Sequence, residues 1–276
     1  MQKPWRLGVD LGGSLTKVVL LQGEDVAAKL RLPSRELPAT VGAVVSRILK
    51  EQALTPAQIS FLALTGLGTS DVEGDILGIP TRRVSELSAI GRGGLRLAGL
   101  NRALVVSMGT GTAFLRCDET GIVHLGGSGV GGGTLTGLGK IMLGTDDAGQ
   151  IAELAKTGEL SHVDLTIADL TKNEESTLPP YTTVSNFAGC TPNAGAADLC
   201  LGLLNMIYQT VGIMAVLACK SSSIRDIVVT GSVAGLPQAG ELLGRVGQLH
   251  DMRFIIPADA AYATAIGAVL SAEVCD

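Results

Sequence analysis

The sequence predicts an internally duplicated α/β protein made of two similar halves. Three observations carry this. Strand-like runs lead and helical patterns follow in each half of the chain. Short glycine-rich turns recur where strands end. The interior is aliphatic: of 276 residues 46% are hydrophobic, 17% charged and only 3% aromatic, the balance of a globular chain with a large core.

The N-terminal third reads as a β-meander followed by β–α alternation. Apolar runs predict strands at Leu7–Val9, Thr16–Leu21 and Val26–Leu32, a helix at Ala39–Gln52, a strand at Ser60–Leu64 and a helix at Glu86–Ala98. The order returns after residue 100, with strands at Ala103–Ser107, Thr112–Cys117 and Ile122–Leu125. Helices then follow at Thr134–Leu143, Ala148–Lys156 and Ala196–Lys220, a strand at Ile227–Thr230, a helix at Gln238–Gln248, a strand at Arg253–Ile255 and a helix at Tyr262–Ala272. The expected division is an N-terminal lobe, residues 1–100, and a C-terminal lobe, 101–276. Residues 172–193, rich in Pro, Ser, Thr and Asn, read as a surface loop or lid.

Charge and cysteine usage narrow the class. A net charge of −5 without a Lys/Arg run argues against a nucleic-acid partner. Cys117, Cys190, Cys200, Cys219 and Cys275 show neither CxxC nor zinc-ligand spacing, so reduced thiols in a cytoplasmic protein are expected. The first strand begins within a few residues, which is read as leaving no targeting segment. Leu199–Ala218 is long and apolar enough to span a bilayer. It holds Asn205 and Gln209 and is bounded by Asp198 and Lys220, so a buried core helix is expected, not a membrane span.

The glycine turns carry the chemistry. In "DLGGSLTK", Asp10 ends a strand and Gly12–Gly13 form a turn without Cβ atoms, so backbone N–H groups can approach phosphate oxygens. Ser14 and Thr16 add hydroxyls, Lys17 adds a cation, and Asp10 is placed to hold Mg²⁺ through water. "SMGTGTAFL" repeats the layout around Gly109–Thr112. In "GGSGVGGGTLTGLGK" a glycine triplet, Gly131–Gly133, precedes a helix, so free N–H groups and the helix dipole are expected to face one point. "DIVVTGSVAG" ends a strand at Thr230 and continues through Gly231–Ser232. Neither a GxxxxGK[ST] loop nor a GxGxxG opening a βαβ unit occurs, which disfavours P-loop and Rossmann nucleotide binding.

These segments resemble the phosphate-1, phosphate-2 and adenosine segments of the actin-like ATPase superfamily, with its duplicated ribonuclease H-like fold and a nucleotide cleft between two lobes. More narrowly, "DLGGSLTK", "SEL" around Glu86, "MGTGTAF", "GGSGVGGGTLTGLG" and "SNFAG" make the chain similar to the type II pantothenate kinases, from about residue 7 to about residue 270. The resemblance implies ATP-dependent phosphorylation of the 4′-hydroxyl of pantothenate, the first step towards coenzyme A. It implies Glu86 as general base, oriented and kept ionised at a helix N-terminus. It implies ATP contacts at Asp10, Leu11, Gly12, Gly13, Ser14, Leu15, Thr16, Lys17, Thr110, Gly111, Gly132, Gly133, Thr134, Leu135, Thr136 and Ser232, with Mg²⁺ at Asp10. A homodimer is implied, with coenzyme A or an acyl-CoA as regulator, and Tyr181, Asn186 and Phe187 near the pantothenate arm.

One position departs from the family. An arginine usually precedes the glycine-rich segment, and His124 stands there, shorter and without a bidentate fork. Three accounts are open: the substrate meets His124 differently, Arg116 or another cation substitutes, or turnover on pantothenate is reduced. Two other readings also stay open, an actin-like kinase acting on pantetheine or a sugar, and a non-catalytic sensor of nucleotide or coenzyme A.

Overall fold

A computed structural model describes residues 3–34, 41–69, 72–171 and 176–274. Residues 39–40 of the expected first helix, 172–175 of the expected loop, and Cys275 lie outside them. The first half holds β1 (Trp5–Leu11), β2 (Leu15–Gln22), β3 (Asp25–Pro33), α1 (Val41–Glu51), β4 (Ile59–Thr65), β5 (Thr81–Arg83) and α2 (Glu86–Ala98). The second begins with β6 (Ala103–Met108), β7 (Thr112–Asp118), β8 (Gly121–Ser128), α3 (Gly132–Leu143) and α4 (Ala148–Leu154). It continues with β9 (Leu165–Thr166), α5 (Ile167–Thr171), β10 (Thr183–Ser185) and α6 (Ala196–Cys219). It closes with β11 (Asp226–Thr230), α7 (Ala239–His250), β12 (Arg253–Ile255) and α8 (Ala263–Glu273).

The duplication is exact in topology. One sheet runs β3-β2-β1-β4-β5 and the other β8-β7-β6-β11-β12. In each, three antiparallel strands form a meander and two parallel strands extend it. Central strands are covered on both faces and therefore read as unbroken apolar runs, such as "ALVVSM" in β6. The edge strand β3 alternates in burial, residue by residue. Every strand and helix expected from the sequence is present. The structure adds β5, β9, β10 and α5, each too short to show a period.

The stretch expected to be a loop or lid is partly ordered. β10 pairs antiparallel with β9. Asp164, fully buried, accepts from Thr183 Oγ1 at 3.1 Å, Asn186 Nδ2 at 3.3 Å, the Phe187 N–H at 2.9 Å and Asn205 Nδ2 at 2.7 Å. Tyr181 stacks under the Arg245 guanidinium of α7. Tyr181, Asn186 and Phe187 therefore lie against α6 and α7. α6 is a core helix: Leu203, Leu204, Ile207, Tyr208 and Val211 are buried against the second sheet with Val106 and Val229.

Each lobe ends in a helix that crosses to the other lobe. α8 lies on the first sheet, where Ala265, Ala268 and Val269 pack with Val19, Leu21 and Ala63. α2 lies on the second, where Ile90 packs with Val105, Leu115 and Val228. The two helices meet through matched small residues at four-residue spacing. A Cβ on Gly93 would lie 1.9 Å from Ala263 O, and one on Gly267 would lie 1.8 Å from Ala89 O. Arg6 on β1 ties the far end of α8 through an ion pair with Glu273.

Gly267→Val should cost about 3 kcal/mol or more in urea unfolding, because the clash is with backbone that cannot move aside. Gly240→Ala on α7, where a Cβ meets nothing within 4 Å, should instead stabilise by about 0.5–1 kcal/mol. A Gly267→Val protein of unchanged stability would refute the close crossing.

Candidate active site

The site lies where the strands of both sheets end. Asp10 closes β1, and Lys17 is its cross-strand neighbour on β2. Lys17 Nζ donates to Asp10 Oδ2 at 3.2 Å, with the lysine 8% and the aspartate 3% exposed. Lys17 is thus a buried partner of the carboxylate, not a surface strand residue. Strand alternation puts this pair on the face covered by α8 and turns the next pair, Leu11 and Thr16, to the face covered by α1. Leu11 packs in the core there. The Thr16 hydroxyl, expected to donate to phosphate, is buried on that side without a hydrogen-bond partner among the described residues. Any contact from Thr16 to a ligand in the cleft must come from its backbone.

Glu86 opens α2 directly after β5, half-buried. Ser85 occupies the N-cap position but makes no side-chain cap, so Glu86 is not one half of a capping pair. Burial is the main cause holding its carboxyl above the usual range. The Asp10 charge pushes the same way and Lys17 opposes. The direction is the reverse of that expected from the helix dipole alone, because desolvation and a like charge outweigh it. Asp10 itself is raised by burial and pulled back by Lys17. That Glu86 feels both groups brings residues 10, 17 and 86 into one electrostatic cluster.

The two glycine turns meet across the cleft. Ser14 Oγ and Thr110 Oγ1 are 2.9 Å apart. Around Gly13 and Gly109 the space is open: the nearest atoms to an added Cβ are 3.9 Å and 3.8 Å away. The glycine triplet behaves otherwise than expected. The Gly132 and Gly133 N–H groups are not free; they donate to Gly109 O and Thr110 O, both at 2.8 Å. Cβ atoms on Gly131 and Gly132 would lie 2.9 Å and 2.8 Å from backbone of the same turn. The triplet therefore serves to dock the start of α3 onto the β6–β7 turn. Thr134 folds back, its Oγ1 donating to Gly129 O and accepting from the Gly131 N–H. Thr136 Oγ1 donates to Gly133 O, and Leu135 is buried in the core. Leu15 and Gly111 sit half-buried beside the turns.

His124 is exposed on the edge strand β8. Ile122, two residues earlier on the same face, reaches Gly91 of α2. His124 lies on that same face of β8, paired opposite Leu115 of β7. Arg116 does not substitute for it. It shares the opposite face of the sheet with Phe114, and its Nε pairs with Asp118 at 3.0 Å.

The adenosine-type turn after β11 packs on the end of β6. Gly231 has φ +95°, and a Cβ there would lie 2.3 Å from Met108 O. Ser232 is half-buried, while Val233 and Ala234 turn into the core. The first lobe repeats this device, and sequence reasoning missed it. Gly66, φ +100°, follows β4 and stands 2.5 Å from Leu11 O by the same measure. The visible signal was "LTG" at 64–66 echoing "VTG" at 229–231.

Comparison with known proteins agrees with this geometry. The activator of 2-hydroxyisocaproyl-CoA dehydratase from Clostridium difficile, solved with bound ADPNP, superposes with a TM-score of 0.72 at 20% identity, covering 97% of this chain and 94% of that one. A ROK family glucokinase from Streptomyces griseus, solved with glucose and AMPPNP, gives 0.63 at 12% identity, covering 98% and 99%. These establish the two-lobe actin-like fold. A type II pantothenate kinase of Staphylococcus aureus is 27% identical over 236 residues, 82% of this chain and 84% of the relative. The Fumble family profile matches residues 101–269, more than half of the chain. The chain belongs to the Fumble family, that of the type II pantothenate kinases.

Proposed function

We propose that the protein transfers the γ-phosphoryl group of ATP to the 4′-hydroxyl of pantothenate. The observation that carries this is the meeting of Asp10, Lys17 and Glu86 at the end of one sheet, opposite the Thr110 turn of the other. Kinase relatives support phosphoryl transfer, and pantothenate is the finer part of the reading.

Glu86 takes the 4′-hydroxyl proton as the oxygen forms its bond to the γ-phosphorus and the bond from that phosphorus to the ADP oxygen breaks. A carboxylate held above its usual range is the stronger base for this. Lys17 offsets charge on the transferring oxygens, and the open turns at Gly13 and Gly109 admit phosphate close to backbone. His124, two residues along β8 from the Ile122 that packs on α2, offers one hydrogen bond to substrate where relatives use an arginine fork. The residues fit Mg²⁺ in the manner usual for kinases. Asp10 supplies one buried carboxylate, and the described residues hold no cluster of three ligating side chains, so most of the coordination would come from phosphates and water. Bound there, the ion would neutralise phosphate charge. Family membership is what supports a homodimer in the cytoplasm and regulation by coenzyme A or its thioesters.

Glu86→Gln should lower kcat about 10²- to 10⁴-fold in an ADP-release assay with pantothenate, while ATP affinity stays within a few-fold. Pantetheine and glucosamine are the comparison acceptors. Tight nucleotide or coenzyme A binding without turnover on any of them would replace the kinase reading with a sensor.

The same substitution should stabilise the fold. The folded-state pKa of Glu86 is raised, so the native protein binds that proton more tightly than the unfolded chain, and the ionised carboxylate costs stability. The gain from glutamine should be full above the raised pKa and fade as pH falls toward the ordinary glutamate value of 4.5. A melting series from pH 4 to 8 reads this directly, and a gain that grows on acidification would contradict it.

A further inference from the structure

We propose that Tyr208 of α6 is a positioning residue for the nucleotide: its hydroxyl holds the loop 231–234 in the shape that presents Ser232 to the cleft. This rests on reading that loop as a nucleotide contact.

Tyr208 is fully buried among aliphatic residues of the second lobe. A phenol hydroxyl placed there needs a partner, and it donates to Val233 O at 2.7 Å. Burial drives its pKa upward, so it stays a donor. Val233 is fixed from several sides. Its N–H donates to Met108 O at 3.3 Å, its carbonyl also accepts from the Leu236 N–H at 3.2 Å, and its side chain packs on Gly132. The preceding Gly231 donates to Ala260 O at 2.9 Å. Ser232 is left half-buried between two pinned neighbours.

The tie reaches further than the loop. Met108 is the last residue of β6, immediately before the Gly109–Gly111 turn, and Gly132 opens α3 on that same turn. Tyr208 thus joins α6 to the segment where the adenosine loop, the second phosphate turn and the start of α3 touch. α6 is itself held in rotation three residues earlier, where Asn205 Nδ2 donates to Asp164 Oδ2 at 2.7 Å and to Thr183 Oγ1 at 3.0 Å. The hydroxyl is what hydrogen-bonds the loop, and phenylalanine would keep the ring packing while removing the tie.

The test compares purified wild-type protein, Tyr208→Phe and Val211→Ala, the last a core truncation one turn along α6 whose side chain has no polar atom to tie the loop. ATP binding is measured by calorimetry, kcat and KM by ADP release, and amide hydrogen exchange over residues 231–236. Tyr208→Phe should raise the Kd and KM for ATP about three- to fivefold, the worth of one neutral hydrogen bond whose acceptor keeps a second donor, with kcat within about twofold. Exchange at residues 233–236 should quicken. Val211→Ala should lower the melting temperature at least as much and leave ATP binding and loop exchange as in the wild type. Equal ATP affinity in Tyr208→Phe, or equal loss in Val211→Ala, overturns the positioning role. Wild-type protein that fails to bind ATP overturns the nucleotide reading of the cleft, and the positioning role with it.

Discussion

The separation of the two lobes rests on the backbone-to-backbone crossing of α2 and α8. At Gly93 and Gly267 a methyl group would sit within 2 Å of a carbonyl of the other helix, so the axes approach as closely as small residues allow. Each helix is pressed on the sheet of the opposite lobe by the same means. Gly8 on β1 lies under Ala265, and Gly94 on α2 lies over Val105. Glu86 follows Val84, which is tied to β4: its N–H donates to Leu64 O at 3.0 Å and its carbonyl accepts from Thr65 Oγ1 at 3.0 Å. Glu86 is thus placed by the first sheet, as Asp10 and Lys17 are, while the helix it opens runs on to the second. The cluster they form belongs to the first lobe, and the crossing sets its distance from the turns of the second. A change in lobe angle would move the Gly109–Gly111 turn relative to the carboxylate before it altered either sheet.

The cluster carries two carboxylates and one ammonium in surroundings that exclude much of the water. Lys17 compensates Asp10 at hydrogen-bond distance, and Glu86 is left with a neighbouring like charge and partial desolvation. Proton uptake by Glu86 removes that repulsion, so the stress stored in the native state favours the proton transfer assigned to it. Under the proposed role, stability and activity are opposed at this residue. The α2 dipole is too weak to reverse the balance, since its contribution falls off within the first turn and is modest beside burial and a nearby charge.

Much of this was legible in the sequence because period and punctuation agreed. The edge strand β3 alternates, the central strands run apolar, α2 begins at Glu86 and stops at Gly99 in the left-handed conformation, and glycine turns mark the strand ends. What was not legible has specific causes. β5 has three residues and β9 two, too few for any period. Glycine spacing shows where backbone comes close, but not whether its partner is a ligand or another turn. Gly132 and Gly133 proved to serve a turn of the same chain. The side of β2 on which Thr16 falls depends on register, which becomes visible only once Asp10 is paired with Lys17. Asp164 stands in a stretch without motif, and its role follows from four donors brought together from separate segments.

The halves share a sheet plan but differ in what covers it. Between β3 and β4 the first lobe has α1, while the corresponding stretch of the second, between β8 and β11, carries α3 to α6 and the β9–β10 pair. This added layer stands behind the ends of β6 and β11. It braces the loop after β11 through a buried polar tie, Tyr208 to Val233, and is itself held together by Asn205 to Asp164. The first lobe, whose equivalent turns are Gly12–Gly13 and Gly66, presents the charged residues instead. A phosphoryl-transfer site needs the nucleotide held in one rigid frame and the base brought to it on another, because the reacting oxygen must be aligned to a fraction of an ångström. Under the proposed function, unequal elaboration of two equal sheets meets that need, with rigidity concentrated in the lobe assigned the longer, more contact-demanding ligand.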